Sequence, residues 1–329
     1  MRLRTVGLLV TFAVGVLSAP LAADAQPAAK AYRLGYLALS APGPRTDPIW
    51  QAFVHRLGEL GWVVGRNIAI EARYAEGHAE RLEALAAELI SLNVDIIVAA
   101  GTSAVLASRR TTSRIPIVIA GASDPVAFGL VSSLAHPGGN VTGFSDSAGR
   151  EVEGKRLQLL KEAVPHATRI AVVLDSSGRQ DPGPMREAAK TLGLTLLVSL
   201  ETTNPDEFRW TFAALKRDGA QAVYAPETPV NARHRDLIVA LAAEHRVPGI
   251  YGSREFVNAG GLMSYGISYV ELYQRTAGYV DRILRGTKPR DLPVEQPSRF
   301  ELAVNLKTAK ILGLRIPQAV LVRAEHVVQ

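Results

Sequence analysis

Apolar positions along the chain follow two alternating periods. Tyr32 to Leu37 is a short apolar run that predicts a strand, ending in the polar loop Ser40 to Asp47. Ile49, Phe53, Leu57 and Leu60 then recur at helical spacing, so Ile49 to Leu60 predicts a helix, with Gly61 placed to cap its end. Asn67 to Tyr74 alternates apolar and polar residues as a strand does. Glu80 to Leu92 returns to the helical period, with Leu82, Leu85, Leu89 and Leu92 on one face. Val94 to Ala100 is continuously apolar, the pattern of a strand buried on both faces of a parallel sheet. Thr102 to Arg110 predicts a short helix and Ile115 to Ala120 another buried strand.

After the turn cluster His136-Pro137-Gly138-Gly139-Asn140 the alternation begins again. Strands are predicted at Val141 to Ser145, Arg169 to Leu174, Thr195 to Leu200, Ala222 to Ala225 and Gly249 to Tyr251. The segments between them carry helical patterns: Glu151 to Ala163, Pro184 to Leu192, Pro205 to Arg217 and Asn231 to His245. A tail adds strand Gly261 to Tyr265, helix Val270 to Arg285, the Pro/Gly-rich segment Gly286 to Pro297, strand Phe300 to Val304 and helix Leu306 to Leu312. Such an order predicts an α/β fold of two doubly wound parallel-sheet lobes with a central cleft. Three chain crossings are expected, near 142–146, 251–258 and 286–298. The expected division is residues 26–143 plus 257–286 for lobe 1 and 144–256 plus 287–329 for lobe 2.

The first residues stand outside this pattern. Arg2 and Arg4 precede the apolar run Val6 to Leu17, and Ala23-Asp24-Ala25 satisfies the small-x-small rule. Residues 1–25 therefore read as a cleaved signal peptide, with Gln26 as the new N-terminus, a periplasmic location and no membrane-embedded segment in the mature chain. The chain of 329 residues has no cysteine, which excludes a lipid-anchoring cysteine, thiol nucleophiles and Cys-ligated metals. Its net charge of +6 is spread out, without basic runs interleaved with aromatics, so nucleic acid is not an expected partner.

Candidate chemistry lies where strands end. Ser40 follows the first strand. Thr102 and Ser103 open a helix, either as caps or as part of an anion site at its free N–H groups. Ser123 and Asp124 follow the next strand; Asp124 either caps a helix beginning at Pro125 or meets a ligand ammonium. The second array offers Asp175 and Ser176, Glu227 and Thr228, and Tyr251, with Tyr265 in the tail. The tyrosines read either as ring platforms or as core residues.

Enzyme signatures do not assemble. Gly143-Phe144-Ser145-Asp146-Ser147 lacks the closing glycine of a nucleophile elbow. Gly154-Lys155-Arg156 lacks the glycine-rich stretch and the hydroxyl residue of a phosphate loop. The 7 histidines are scattered, no cofactor is expected, and the reading is of a non-enzyme.

From Tyr32 onward the chain resembles the ABC-transporter substrate-binding proteins related to tryptophan/tyrosine uptake. The resemblance rests on Arg33-Leu34-Gly35-Tyr36-Leu37, Ala100-Gly101-Thr102-Ser103, Ser123-Asp124-Pro125-Val126 and Leu134-Ala135-His136-Pro137-Gly138-Gly139-Asn140-Val141-Thr142-Gly143. It continues through Tyr251-Gly252-Ser253-Arg254-Glu255-Phe256-Val257, Gly260-Gly261-Leu262-Met263-Ser264-Tyr265-Gly266 and Leu292-Pro293-Val294-Glu295-Gln296-Pro297. It implies a type I periplasmic binding fold and capture of a small molecule, such as an amino acid or a carboxylate. The implied partners are that ligand, an ABC permease and its ATPase, and the expected receptor is a monomer. By the same resemblance Thr102 and Ser103 would hold a carboxylate, Asp124 an ammonium, and Ser40, Tyr251 and Tyr265 would line the pocket. Two loops depart from the family pattern: Asp175-Ser176-Ser177-Gly178 stands where relatives often carry Asn-Pro, and Glu227-Thr228 where they often carry Asp-Pro. A sensory receptor of the same fold, or an envelope acid–base enzyme using Asp124 and Glu227, are the alternatives.

Overall fold

The computed structural model describes residues 31–42, 47–146, 149–174, 182–199 and 204–329. The segment expected to be a signal peptide, residues 43–46 of the polar loop expected after the first strand, and the candidate site residues Asp175 and Ser176 lie outside them. Tyr32–Gln329 is one compact unit.

The first array runs β1 (Tyr32–Ala38), α1 (Pro48–Glu59), β2 (Ile68–Tyr74), α2 (Leu82–Ser91), β3 (Ile96–Ala100), α3 (Thr102–Thr111), β4 (Ile117–Ala122) and β5 (Val141–Ser145). The second runs α4 (Gly149–Ala163), β6 (Arg169–Val173), α5 (Gly183–Thr191), β7 (Thr195–Ser199), α6 (Pro205–Arg217), β8 (Ala222–Ala225), α7 (Pro229–Arg233), α8 (Arg235–Glu244), β9 (Gly249–Tyr251), α9 (Arg254–Asn258) and β10 (Met263–Gly266). The tail holds α10 (Tyr269–Leu284), β11 (Val294–Glu295), β12 (Glu301–Asn305), α11 (Leu306–Ile311), α12 (Gln318–Leu321) and β13 (His326–Val328).

Two sheets result, with strand orders β11-β5-β4-β3-β1-β2 and β13-β12-β10-β9-β8-β6-β7. Pairing is parallel throughout except between β10 and β12. A parallel sheet must be covered on both faces, which explains the unbroken apolar runs of β3 and β4. The two-residue period survives within such runs. Leu34, Tyr36 and Ala38 face a core shared with Phe53 and Leu57 of α1 and Leu272, Tyr273 and Val280 of α10. Leu37 points the other way, toward Leu85 and Leu89 of α2 and Val105 of α3. The second sheet is covered likewise, by α4, α5 and the C-terminal helices on one face and by α6, α8 and α9 on the other.

Two expected boundaries need correction. Residues 257–266 were expected in lobe 1, but β10 pairs with β9 and β12 in the second sheet. Residues 287–295 were expected in lobe 2, but β11 pairs with β5 in the first. An apolar strand needs a sheet neighbour, and periodicity does not say which sheet supplies it. Close backbone approach does: a β-carbon on Gly266 would lie 1.8 Å from the Gly252 carbonyl oxygen, so β10 seats against the loop after β9. The chain therefore changes sheet after β5, after β10 and after β11. The helix expected over Asn231 to His245 is two helices, α7 and α8, meeting at His234.

Candidate functional site

In open α/β sheets the crevice lies outside the carboxyl ends of the strands, where strand order reverses. In the first sheet that point falls between β1 and β3, so Ser40 flanks it on one side and Thr102-Ser103 on the other. In the second sheet it falls between β6 and β8, which brings Glu227-Thr228 to it.

On the first lobe Gly101, at φ 85°, is the N-cap of α3, and no side chain caps that helix. The first-turn N–H groups thus have no intrahelical acceptor and favour an anion. Thr102 does something other than cap: its Oγ1 accepts from the Ser123 N–H at 3.0 Å, tying the loops after β3 and β4 together. Ser103 is half-buried beside them. The Ser40 carbonyl accepts from Glu76 N at 3.4 Å.

Asp124 is exposed, with φ 35°, and its Oδ1 accepts from Ala127 N at 3.0 Å. It caps a turn over 125–129 rather than the expected helix, and Gly129, at φ 63°, ends that turn. Among the described residues of this lobe, the carboxyl group whose pKa burial raises is that of Asp146, which the sequence reading passed over. Burial raises its pKa and the Ser123 hydroxyl, donating to Asp146 Oδ1 at 3.1 Å, holds it partly down. Its signal was its place directly after β5.

The second lobe contributes Glu227. Burial pushes its carboxyl up to about 7; Glu255 adds to the rise, and Ser253, Arg235 and Arg156 oppose it. The loop after β9 abuts it so closely that a β-carbon on Gly252 would lie 2.3 Å from Glu227 N, which requires glycine there. Thr228 caps α7, its Oγ1 accepting from Asn231 N at 3.0 Å. Asn231 Nδ2 clamps Pro226 O at 2.9 Å and Val173 O at 3.1 Å. Among the described residues, the buried side-chain polar atoms without a well-formed hydrogen bond are Glu227 Oε2, Asn231 Oδ1, Ser253 Oγ and Ser264 Oγ, although the Ser253 hydroxyl lies near enough to the Glu227 carboxyl to hold its pKa partly down. Such atoms are rare in folded proteins. Three of the four belong to α7 and to the loops after β8 and β9.

Beneath these loops Arg156 is only 7% exposed. Its guanidinium donates to Glu153 Oε1 at 3.0 Å, Tyr224 Oη at 2.9 Å, the Tyr265 carbonyl at 2.6 Å and the Gly252 carbonyl at 3.5 Å. Tyr224 in turn donates to Glu153 Oε2. Burial pulls the Arg156 pKa down, but Tyr224 and Glu153 outweigh it and raise it. Tyr269, at the start of α10, feels Asp146 of the first lobe and Glu227 of the second, and burial with both charges raises its phenol. Its phenol is thus influenced by carboxyl groups of both lobes, and the sequence reading did not single it out. Tyr251 is 1% exposed and stacks on Phe256 with centroids 4.9 Å apart, so its ring is core. Tyr265 stacks on Phe300 at 5.8 Å.

Two open parallel-stranded lobes, joined by three crossings and presenting loops from both to one crevice, define a type I periplasmic binding fold. The chain belongs to the ABC transporter substrate-binding protein family, whose model matches residues 39–328. It is 27% identical over 275 residues, 83% of this chain and 78% of the relative, to the tyrosine-binding protein of Clostridioides difficile. It resembles a Streptococcus pneumoniae ABC domain solved in complex with L-Trp, with TM-score 0.82 and 25% identity, covering 91% of this chain and 100% of the other. A conserved domain protein from Vibrio cholerae matches with TM-score 0.82 and 26% identity over 91% of this chain and all of the other. At 12% identity and TM-score 0.56, the branched-chain amino acid binding protein LivJ of S. pneumoniae, covering 80% of this chain and 86% of its own, shares the fold. No helix among the described residues is long and apolar enough to cross a membrane.

Proposed function

We propose that this chain is an exported receptor that captures a free amino acid, of aromatic type, between its lobes and presents it to an ABC permease and its ATPase. The observation that carries the amino-acid reading is the cluster of buried atoms without a well-formed hydrogen bond, Glu227 Oε2 and Asn231 Oδ1 with Ser253 Oγ beside them. Asn231 Oδ1 can only accept, Glu227 accepts once it is ionised, and the Ser253 hydroxyl accepts as readily as it donates. An ammonium group brings three donors and a positive charge to such a set. The uncapped first turn of α3, with Ser103, suits the carboxylate of the same zwitterion. Aromatic character is supported by the tyrosine-binding and L-Trp-bound relatives. Glu227 and Asn231 thus take the ammonium role that the family resemblance gave to Asp124, which is exposed and occupied in capping a turn.

Capture of this kind breaks no bond; it needs only a ligand that binds the closed lobes better than the open ones. The basic, apolar and small-residue pattern of residues 1–25 supports export to the periplasm. A thermal-shift screen of residues 26–329 against amino acids and simple carboxylates tests the reading. A ligand at a hundredfold excess over its Kd adds about 2.7 kcal/mol of stability. A shift with L-tyrosine, L-tryptophan or L-phenylalanine is expected. A shift confined to carboxylates without an amine would remove Glu227 from the ammonium role.

A further inference from the structure

We propose that α7 is a closing latch between the lobes and that Arg233 is its positioning residue, acting through the loops that hold the ligand rather than on the ligand itself. The inference rests on the reading of the chain as a lobe-closing receptor, but on no particular ligand. Arg233 Nη1 donates to the carbonyl of Glu76, joining the second lobe to the loop after β2 of the first. The Glu76 carboxylate is engaged elsewhere, with Arg81 at 3.3 Å, so the contact with Arg233 is made by the backbone carbonyl. Gly77, at φ 89°, leaves the room: a β-carbon there would lie 2.5 Å from Arg233 Nη1.

Each end of this contact is wired into a candidate binding loop. On one side Gly77 N donates to Leu39 O at 2.7 Å and Glu76 N to Ser40 O at 3.4 Å, so the 76–77 turn braces the Ser40 loop. On the other, Thr228 caps α7 and Asn231 of the same turn clamps Pro226 and Val173, so α7 is fixed to the Glu227 loop. A single line of hydrogen bonds therefore runs from the loop after β8 to the loop after β1.

Position gives the contact its leverage. The crossings leave the first sheet from β5 and β11, and β2 is the strand at the opposite edge. Lobes that swing about the crossings separate most at the edge farthest from them, so a bond there exists in the closed arrangement and is lost early on opening. Arg233 is exposed, so the bond has the modest strength of one partly solvated hydrogen bond, and its loss should change the open-to-closed ratio roughly 2- to 12-fold.

The cysteine-free chain allows a clean test. Spin labels at Ala87→Cys on α2 and Ala213→Cys on α6, both exposed, report the interlobe distance by pulsed electron resonance. Measurements are made with and without excess L-tyrosine in the parent, in Arg233→Ala and in Arg233→Lys. Arg246→Ala serves as the control, since Arg246 bonds Ile311 O within its own lobe. The expected result is a shift toward longer distances in Arg233→Ala in at least one of the two conditions, partial recovery in Arg233→Lys, and no change in the control, at unaltered melting temperature. Distributions identical to the parent in both conditions would overturn the latch. A distance shift in Arg233→Ala in a protein that no amino acid stabilises would keep the latch and remove the proposed ligand, so the two failures are distinguishable.

Discussion

Gly266 ends β10 with its α-carbon pressed against Gly252: a β-carbon at 266 would lie 1.8 Å from the Gly252 carbonyl oxygen, and one at 252 would lie 2.3 Å from Glu227 N. Three backbone segments are thus stacked without side chains between them, immediately before the second crossing. Both obstacles are backbone atoms, which cannot swing aside as a side-chain end can. Gly266→Ala should destabilise the fold by about 1–3 kcal/mol or more, as overpacking does. Urea unfolding measures this, and a stability equal to the parent would contradict the close approach.

Arg156 has every donor arm committed inside the second lobe. Truncating one member of a buried charged network costs far more than the network contributes, because the partner is left charged and unpaired. Arg156→Met should therefore lose about 3–5 kcal/mol of stability. Tyr224→Phe, which removes one hydroxyl from the same network, should lose only about 1–2 kcal/mol. Comparable losses in the two variants would mean that Arg156 is not the hub.

The Glu227 carboxyl titrates near 7, above the ordinary 4.5, because it is buried. The folded chain then holds a proton that the unfolded chain releases between those values. The stability it contributes is complete below the ordinary value and is lost as pH rises through about 7, a loss on the order of 1–3 kcal/mol. Melting temperatures from pH 4.5 to 8 should fall across this window in the parent and less so in Glu227→Gln. A bound ammonium reverses the preference, so uptake of L-tyrosine near pH 6 should expel a proton, visible as a buffer-dependent heat in calorimetry.

Asp124 and Glu227 should separate in binding. Glu227→Gln should weaken L-tyrosine binding by on the order of 2–5 kcal/mol, the cost of breaking a buried charge pair. Asp124→Ala should lose only its turn cap, about 0.5–1 kcal/mol of stability, with little change in Kd. A large loss of affinity in Asp124→Ala alone would exchange their roles.

The α/β architecture and most of its elements could be read from apolar spacing, because a strand buried on both faces and a one-sided helix leave different periods. The loops at strand ends could be located for the same reason. Which member of each loop is buried could not. Asp124 and Asp146 both follow strands of the first sheet, yet only Asp146 is desolvated, and that depends on how Ser123 and Gly121 pack against it. Tyr251 carries the same local signature as a pocket ring, and only the stacking partner Phe256 shows it to be core. The two misplaced boundaries have the same origin: pairing partners of β10 and β11 lie far away in the chain.

Because β11 and α10 return to the first sheet after the whole second array, neither lobe is a contiguous stretch of chain. The segment from Tyr32 to Ser145 lacks the longest described helix and the edge strand that cover its core. A chain emerging N-terminus first must therefore wait for Glu295 before its first lobe can be completed. Assembly of the first lobe is in this sense a late event in the growth of the chain, set by where its last strand is encoded and not by where its first one is.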